Sequence, residues 1–87
     1  MNLIADIGNN SAKFFLFNGE QMLLHTRRNE APYGVISEWN EQFGIERIIV
    51  STVIDLTQEQ KNEFQAVGCP VIWFSNETPT PLKIEYT

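Results

Sequence analysis

Three apolar runs crowd the first 26 residues, divided only by a turn at Gly8-Asn9-Asn10 and another at Asn18-Gly19. Links this short allow antiparallel hairpins but not parallel returns, so Asn2–Ile7, Ser11–Asn18 and Glu20–Thr26 are expected to form a three-stranded meander. A two-residue turn at Asn9-Asn10 sets Asp6 opposite Lys13, Ile4 opposite Phe15 and Leu3 opposite Leu16. At the second turn, Asn-Gly suits a type I′ hairpin with positive φ at both central residues, which sets Phe15 against Met22 and Phe14 against Leu23. Side chains alternate between faces along a strand. One face then carries Leu3, Ala5, Ile7, Phe14, Leu16 and Leu23, and the other Ile4, Phe15, Phe17, Met22 and Leu24. Both faces are apolar and both need cover, which implies a three-layer α/β arrangement.

The rest of the chain supplies the layers. Pro32–Phe43 carries Val35, Ile36, Trp39 and Phe43 at helical spacing, with Pro32 suited to a first turn and Gly44 to a stop. Arg47 to about Ser51, within "RIIVSTV", reads as a buried strand. Thr57 with Gln60 three residues on makes a capping box, opening a short helix that Gly68 ends; "PVIWF" is a fifth strand. Tyr33, Trp39, Phe43, Phe64 and Trp73 are assigned to the core. The order β-β-β-α-β-α-β, a meander followed by right-handed crossovers, is that of a ribonuclease-H-like (actin-like ATPase) domain. It predicts spatial strand order 3-2-1-4-5 with helices on both faces. Residues 1–75 form this domain, and the proline-rich 76–87 an extended segment.

A chain of 87 residues with 43% hydrophobic content makes one domain. Its net charge of -5 weighs against a nucleic-acid partner, which needs clustered cations. Arg27-Arg28, the one adjacent basic pair, reads as a solvated strand end, and His25 as a surface residue. Cys69 is alone, which leaves no disulfide framework or zinc set and suggests an inert thiol. No run approaches the ~18 apolar residues of a membrane span, and no signal-peptide pattern opens the chain. A cytoplasmic protein without a membrane partner is expected.

Asp6 is the residue that needs a reason. It falls at the carboxyl end of the central strand, where ligands of open α/β sheets gather. Successive N–H groups in the turn Gly8-Asn9-Asn10 can form an anion-binding nest, and Gly8 lets a phosphate approach closely. Asn9, Asn10 and Ser11 add side-chain donors. A carboxylate beside such a nest suits Mg²⁺, which takes one or two carboxylates, phosphate oxygens and water. Lys13 either holds Asp6 or points at a phosphate. The alternative is a cross-strand ion pair over an ordinary turn. Ser51 and Thr52 end the fourth strand near the same rim, as phosphate contacts or as turn hydroxyls; Asp55 reads as a turn acid.

These residues resemble the amino-terminal half of the type III pantothenate kinase family, within the acetate-kinase, sugar-kinase and actin-like ATPase superfamily. Asp6-Ile7-Gly8-Asn9-Asn10 resembles the family's Asp-x-Gly-Asn-[Ser/Thr] phosphate motif. "IIVSTVID" resembles its Ser-x-Val segment, with Ser51 and Val53 in the matching places, and "TPLKIEYT" the stretch leading to the pantothenate pocket. Asn10 departs from the usual hydroxyl residue, although Ser11 follows at once.

The resemblance implies ATP-dependent phosphorylation of pantothenate in coenzyme A biosynthesis. It further implies Mg²⁺, a monovalent cation (K⁺ or NH₄⁺) and a homodimer. In that scheme Asp6 positions the metal, Gly8, Asn9, Asn10 and Ser11 bind phosphate, Lys13 neighbours it, and Tyr86 contacts substrate. The catalytic aspartate belongs to a Gly-x-Asp-Arg region, followed by a second domain, both expected beyond Thr87. The piece alone is therefore expected to be inactive, with an uncovered apolar sheet face that favours association. Rival readings are another sugar kinase or ATPase of the superfamily, a ribonuclease-H-like nuclease using Asp6 for two-metal hydrolysis, and a non-catalytic binding module.

Overall fold

Strand β1 (Asn2–Ile7) lies at the centre of a five-stranded mixed sheet in the computed structural model, which describes residues 1–75. It pairs antiparallel with β2 (Ala12–Asn18), which pairs antiparallel with β3 (Gln21–Arg28) at one edge. On its other side β1 runs parallel to β4 (Arg47–Thr52), and β4 parallel to β5 (Val71–Ser75). The expected order, 3-2-1-4-5, is the order observed. Helix α1 (Val35–Phe43) connects β3 to β4, and α2 (Gln58–Gln65) connects β4 to β5. Neither is long and apolar enough to cross a membrane.

The first hairpin has the register that the Asn9-Asn10 turn predicts, with Asp6 facing Lys13 and Ile4 facing Phe15. The second differs. Gly19 takes the first central position with φ 63°, no non-glycine residue among those described has positive φ, and Asn18 pairs with Gln21. Positive φ at the first position alone is the type II′ pattern. A register shift between Leu16 and Phe17 then inserts one extra residue into β3, so that Leu16 faces Leu24, Phe15 faces His25 and Lys13 faces Arg27. Moving the turn to Gly19-Glu20 shifts each partner by two residues and the bulge by one more, so the expected pairings Phe15–Met22 and Phe14–Leu23 are replaced by Phe15–His25 and Phe14–Thr26, and the odd total exchanges the faces of β3.

Both helices pack on one face of the sheet, not one on each as the two apolar faces suggested. Leu3, Ala5, Ile7, Phe14, Leu16, Ile48 and Val50 share a single buried cluster with Val35, Ile36 and Trp39 of α1 and Phe64 of α2. Chirality explains the arrangement. The routes from β1 to β4 and from β4 to β5 step across the sheet in the same direction, and right-handed crossovers then put both connections on the same side. The opposite face, carrying Ile4, Phe15, Phe17 and Ile49, has no helix over it among the described residues.

Local chemistry sets the helix ends. Thr57 Oγ1 accepts from the Gln60 N–H at 3.1 Å while Gln60 Oε1 accepts from the Thr57 N–H at 2.7 Å, completing the capping box read from the sequence. Helix α1 begins at Val35, three residues after Pro32, because Gly34 sits at φ 76° outside the helical region. Its end at Gly44 is as expected. Of the aromatic residues assigned to the core, Tyr33, Trp39 and Phe64 are buried. Phe43 and Trp73 are 38% and 37% exposed.

Candidate functional site

The helix-free face of the sheet carries two contrasting rows. One runs across the strands as Arg27, Lys13, Asp6 and Ser51, each residue facing the next on the neighbouring strand. Two positions back along each strand lies a second row, His25, Phe15, Ile4 and Ile49. The polar row lies beside the turn at residues 8–11; the apolar row lies behind it. Three of the residues singled out in the sequence, Asp6, Lys13 and Ser51, therefore meet on one rim, and all three are exposed.

The Asp6 carboxylate is solvent-facing, in contrast to Ala5 and Ile7 on either side, which point into the core. Although Asp6 and Lys13 are partners in register, no ion pair within 4.0 Å joins them. Among the described residues the ion pair present is that of the Met1 ammonium with Glu46, at 3.2 Å. The cross-strand ion-pair reading of Asp6 and Lys13 thus lacks its contact, and both charges remain available to a third party.

The turn itself is partly closed. Gly8 N–H donates to Ser11 O at 2.8 Å, which takes it out of the expected nest. The exposed Asn9 and Asn10 donate no backbone N–H to any of the described residues, leaving two adjacent donors free of them. Gly8 does not have positive φ, and a Cβ there would meet only Ser11 O, at an ordinary 3.6 Å. Packing within the chain thus gives no reason for glycine at this position. Clearance on the outer side of the turn is the remaining physical use for it.

Other candidates sort by their hydrogen bonds. Thr52 Oγ1 donates to Ile54 O at 2.8 Å and accepts from Ile54 N–H at 3.1 Å, so this hydroxyl is committed to its own turn. Ser51 stays on the open rim. Burial pushes the Cys69 thiol above its ordinary range, as suits an inert cysteine. No three His, Cys, Asp or Glu side chains converge as a metal-binding group among the described residues. Tyr86 lies outside the described residues. What sequence reasoning missed is Arg27, set aside as a solvated strand end but aligned with Lys13 and Asp6 by the β3 irregularity.

The sequence itself has relatives. Over 82 residues, 94% of its length, it is 32% and 30% identical to type III pantothenate kinases from two strains of Bacteroides fragilis and 28% identical to one from Phocaeicola vulgatus. In sequence, the chain resembles type III pantothenate kinases. It spans about a third of the length of these curated relatives, 34% in each case. No family model matches it. Among solved structures, the Aquifex aeolicus PPX-GPPA enzyme aligns with 87% of this chain and 36% of its own, at 16% identity and a TM-score of 0.49. The matched third of the pantothenate kinases takes in nearly all of this sequence, a span wide enough to include the Asp6–Lys13 hairpin and β4.

Proposed function

We propose that this chain carries the nucleotide-phosphate half of a type III pantothenate kinase, an enzyme that phosphorylates pantothenate with ATP. The observation that carries the reading is an exposed carboxylate, Asp6, with no cation partner among the described residues, at the end of the central strand beside two N–H groups free of them. The similarity to pantothenate kinases over 94% of the chain supplies the substrate.

In this reading Asn9 and Asn10 donate N–H groups to phosphate oxygens, Gly8 gives clearance, and Ser11 adds a hydroxyl. Lys13 contributes charge from the same rim. Asp6 holds Mg²⁺ directly or through its waters, and the hard oxygen donors at hand fit that ion, which needs only one or two carboxylates. When bound, magnesium neutralises charge on the phosphates during transfer. Tyr86 contacts pantothenate, a monovalent cation (K⁺ or NH₄⁺) assists, and the assembly is a homodimer. The group that accepts the substrate hydroxyl proton lies outside these residues.

Calorimetric titration with Mg-ATP tests the site. Asp6→Asn is expected to weaken binding by about tenfold, or 1.4 kcal/mol; equal affinity of the variant and the parent chain would remove Asp6 from the site. The substrate is tested separately, by pantothenate-dependent ADP release from the chain joined to the remaining length of a Bacteroides fragilis relative. ADP release indifferent to pantothenate would point to another kinase or ATPase of the superfamily.

A further inference from the structure

Lys13 and Arg27 stand directly opposite each other on neighbouring strands, β2 and β3. Like charges in that relation destabilise a sheet, and an acid between them would offset the cost. None does: among the described residues no carboxylate lies within 4.0 Å of Lys13, Arg27 or His25. Arg28, one residue on, behaves differently, with its guanidinium donating to Thr26 Oγ1 at 2.6 Å and to Arg27 O at 3.1 Å. The Arg27 guanidinium has no such engagement. Charges on edge strands often serve to block unwanted pairing, which could account for Arg27 alone. It does not account for Lys13, which sits on an interior strand.

The two cations border a hollow of about 380 Å³ lined by Lys13, Phe15, His25, Thr26 and Arg27. Two of its lining rings, Phe15 and His25, are stacked with centroids 6.4 Å apart and planes 28° from parallel. In a chain of net charge -5, three of seven basic side chains (six Lys and Arg, one His) thus surround one depression. From this juxtaposition we infer that Lys13, Arg27 and His25 form an anion site for a phosphate-bearing small molecule. Its phosphate lies between the ammonium and the guanidinium, and its organic part on the Phe15–His25 rings. Charge-assisted hydrogen bonds from Lys and Arg are the strong ones, and Arg offers a planar fork that matches phosphate oxygens. The site shares Lys13 with the phosphate reading of the turn at residues 8–11, but Arg27 and His25 belong to it alone and it needs no metal at Asp6.

The one histidine of the sequence makes the test direct. Proton NMR follows the His25 ring signals while inorganic pyrophosphate is added without divalent metal, against sodium chloride at matched ionic strength. Saturable movement is expected with pyrophosphate and not with chloride. Arg27→Ala and Lys13→Ala should each weaken the apparent affinity about tenfold, with their other resonances still reporting the native fold. The inference is overturned if the His25 signals stay still, if chloride moves them equally, or if Arg27→Ala titrates like the parent. Mg-ATP binding that fails in Asp6→Asn leaves this result untouched, and pyrophosphate binding here leaves the Mg-ATP question open to its own titration.

Discussion

Glu63 of α2 accepts the backbone N–H of Gly34 at 2.7 Å, and its other carboxylate oxygen accepts the N–H of Tyr33 at 2.9 Å. Helix α1 has no side-chain cap of its own at Gly34. A carboxylate from the second helix therefore fixes the approach to the first, and Gln60 Nε2 adds a bond to the Tyr33 hydroxyl at 3.1 Å.

Glu63→Ala should consequently destabilise the domain by about 1.5–3 kcal/mol, the range for hydrogen bonds to a charged group. Glu63→Gln, which keeps one acceptor oxygen, should lose less. Urea unfolding of the three proteins gives the comparison, and equal midpoints would mean that solvent satisfies these N–H groups equally well.

Thr57→Ala removes one arm of the capping box and should cost about 1 kcal/mol. Gln60→Ala removes the other arm together with the Tyr33 contact. A double-mutant cycle is expected to show coupling, because each side chain serves the other's backbone.

Phe64 is fully buried and touches the rings of Phe14, Tyr33 and Trp73 at centroid distances of 6.4, 6.5 and 5.9 Å. Phe64→Ala should cost about 3–5 kcal/mol, enough to unfold a small domain. Met22, 47% exposed on β3, is the control. Met22→Ser should stay within about 0.5 kcal/mol.

Cys69 should react with thiol reagents more slowly than a free cysteine at pH 8, and urea should abolish the difference. Burial raises its native pKa, so the folded chain holds this proton more tightly than the unfolded chain does. The associated stability is complete below the ordinary thiol range and is lost as pH climbs through the raised native value. A reaction rate equal in native and urea-unfolded protein would contradict this.

Much of the architecture was legible because short links leave few options. Asn9-Asn10 could close only a tight hairpin, and the register of Asp6 against Lys13 followed. The capping box at Thr57 and Gln60 and the stop at Gly44 rest on local backbone chemistry and were equally readable. The second hairpin was not. Asn18-Gly19 signals a turn but does not say which residues are central, and nothing in Leu16-Phe17 announces an irregularity on the opposite strand. The placement of both helices on one face follows from crossover handedness, which the amphipathic pattern of the strands does not encode. At the site, Asp6, Lys13 and Ser51 were singled out from spacing. Arg27 escaped because its alignment depends on that same unannounced residue.

The extra residue in β3 therefore has a consequence for length variation in this hairpin. Pairing the same residues without the bulge would set Thr26 against Lys13 and turn Arg27 and His25 toward the helices, whereas deleting the extra residue would close the bulge and keep Arg27 opposite Lys13. Homologous sequences one residue shorter between Met22 and Leu24 should therefore keep the outward cation pair on a regular ladder.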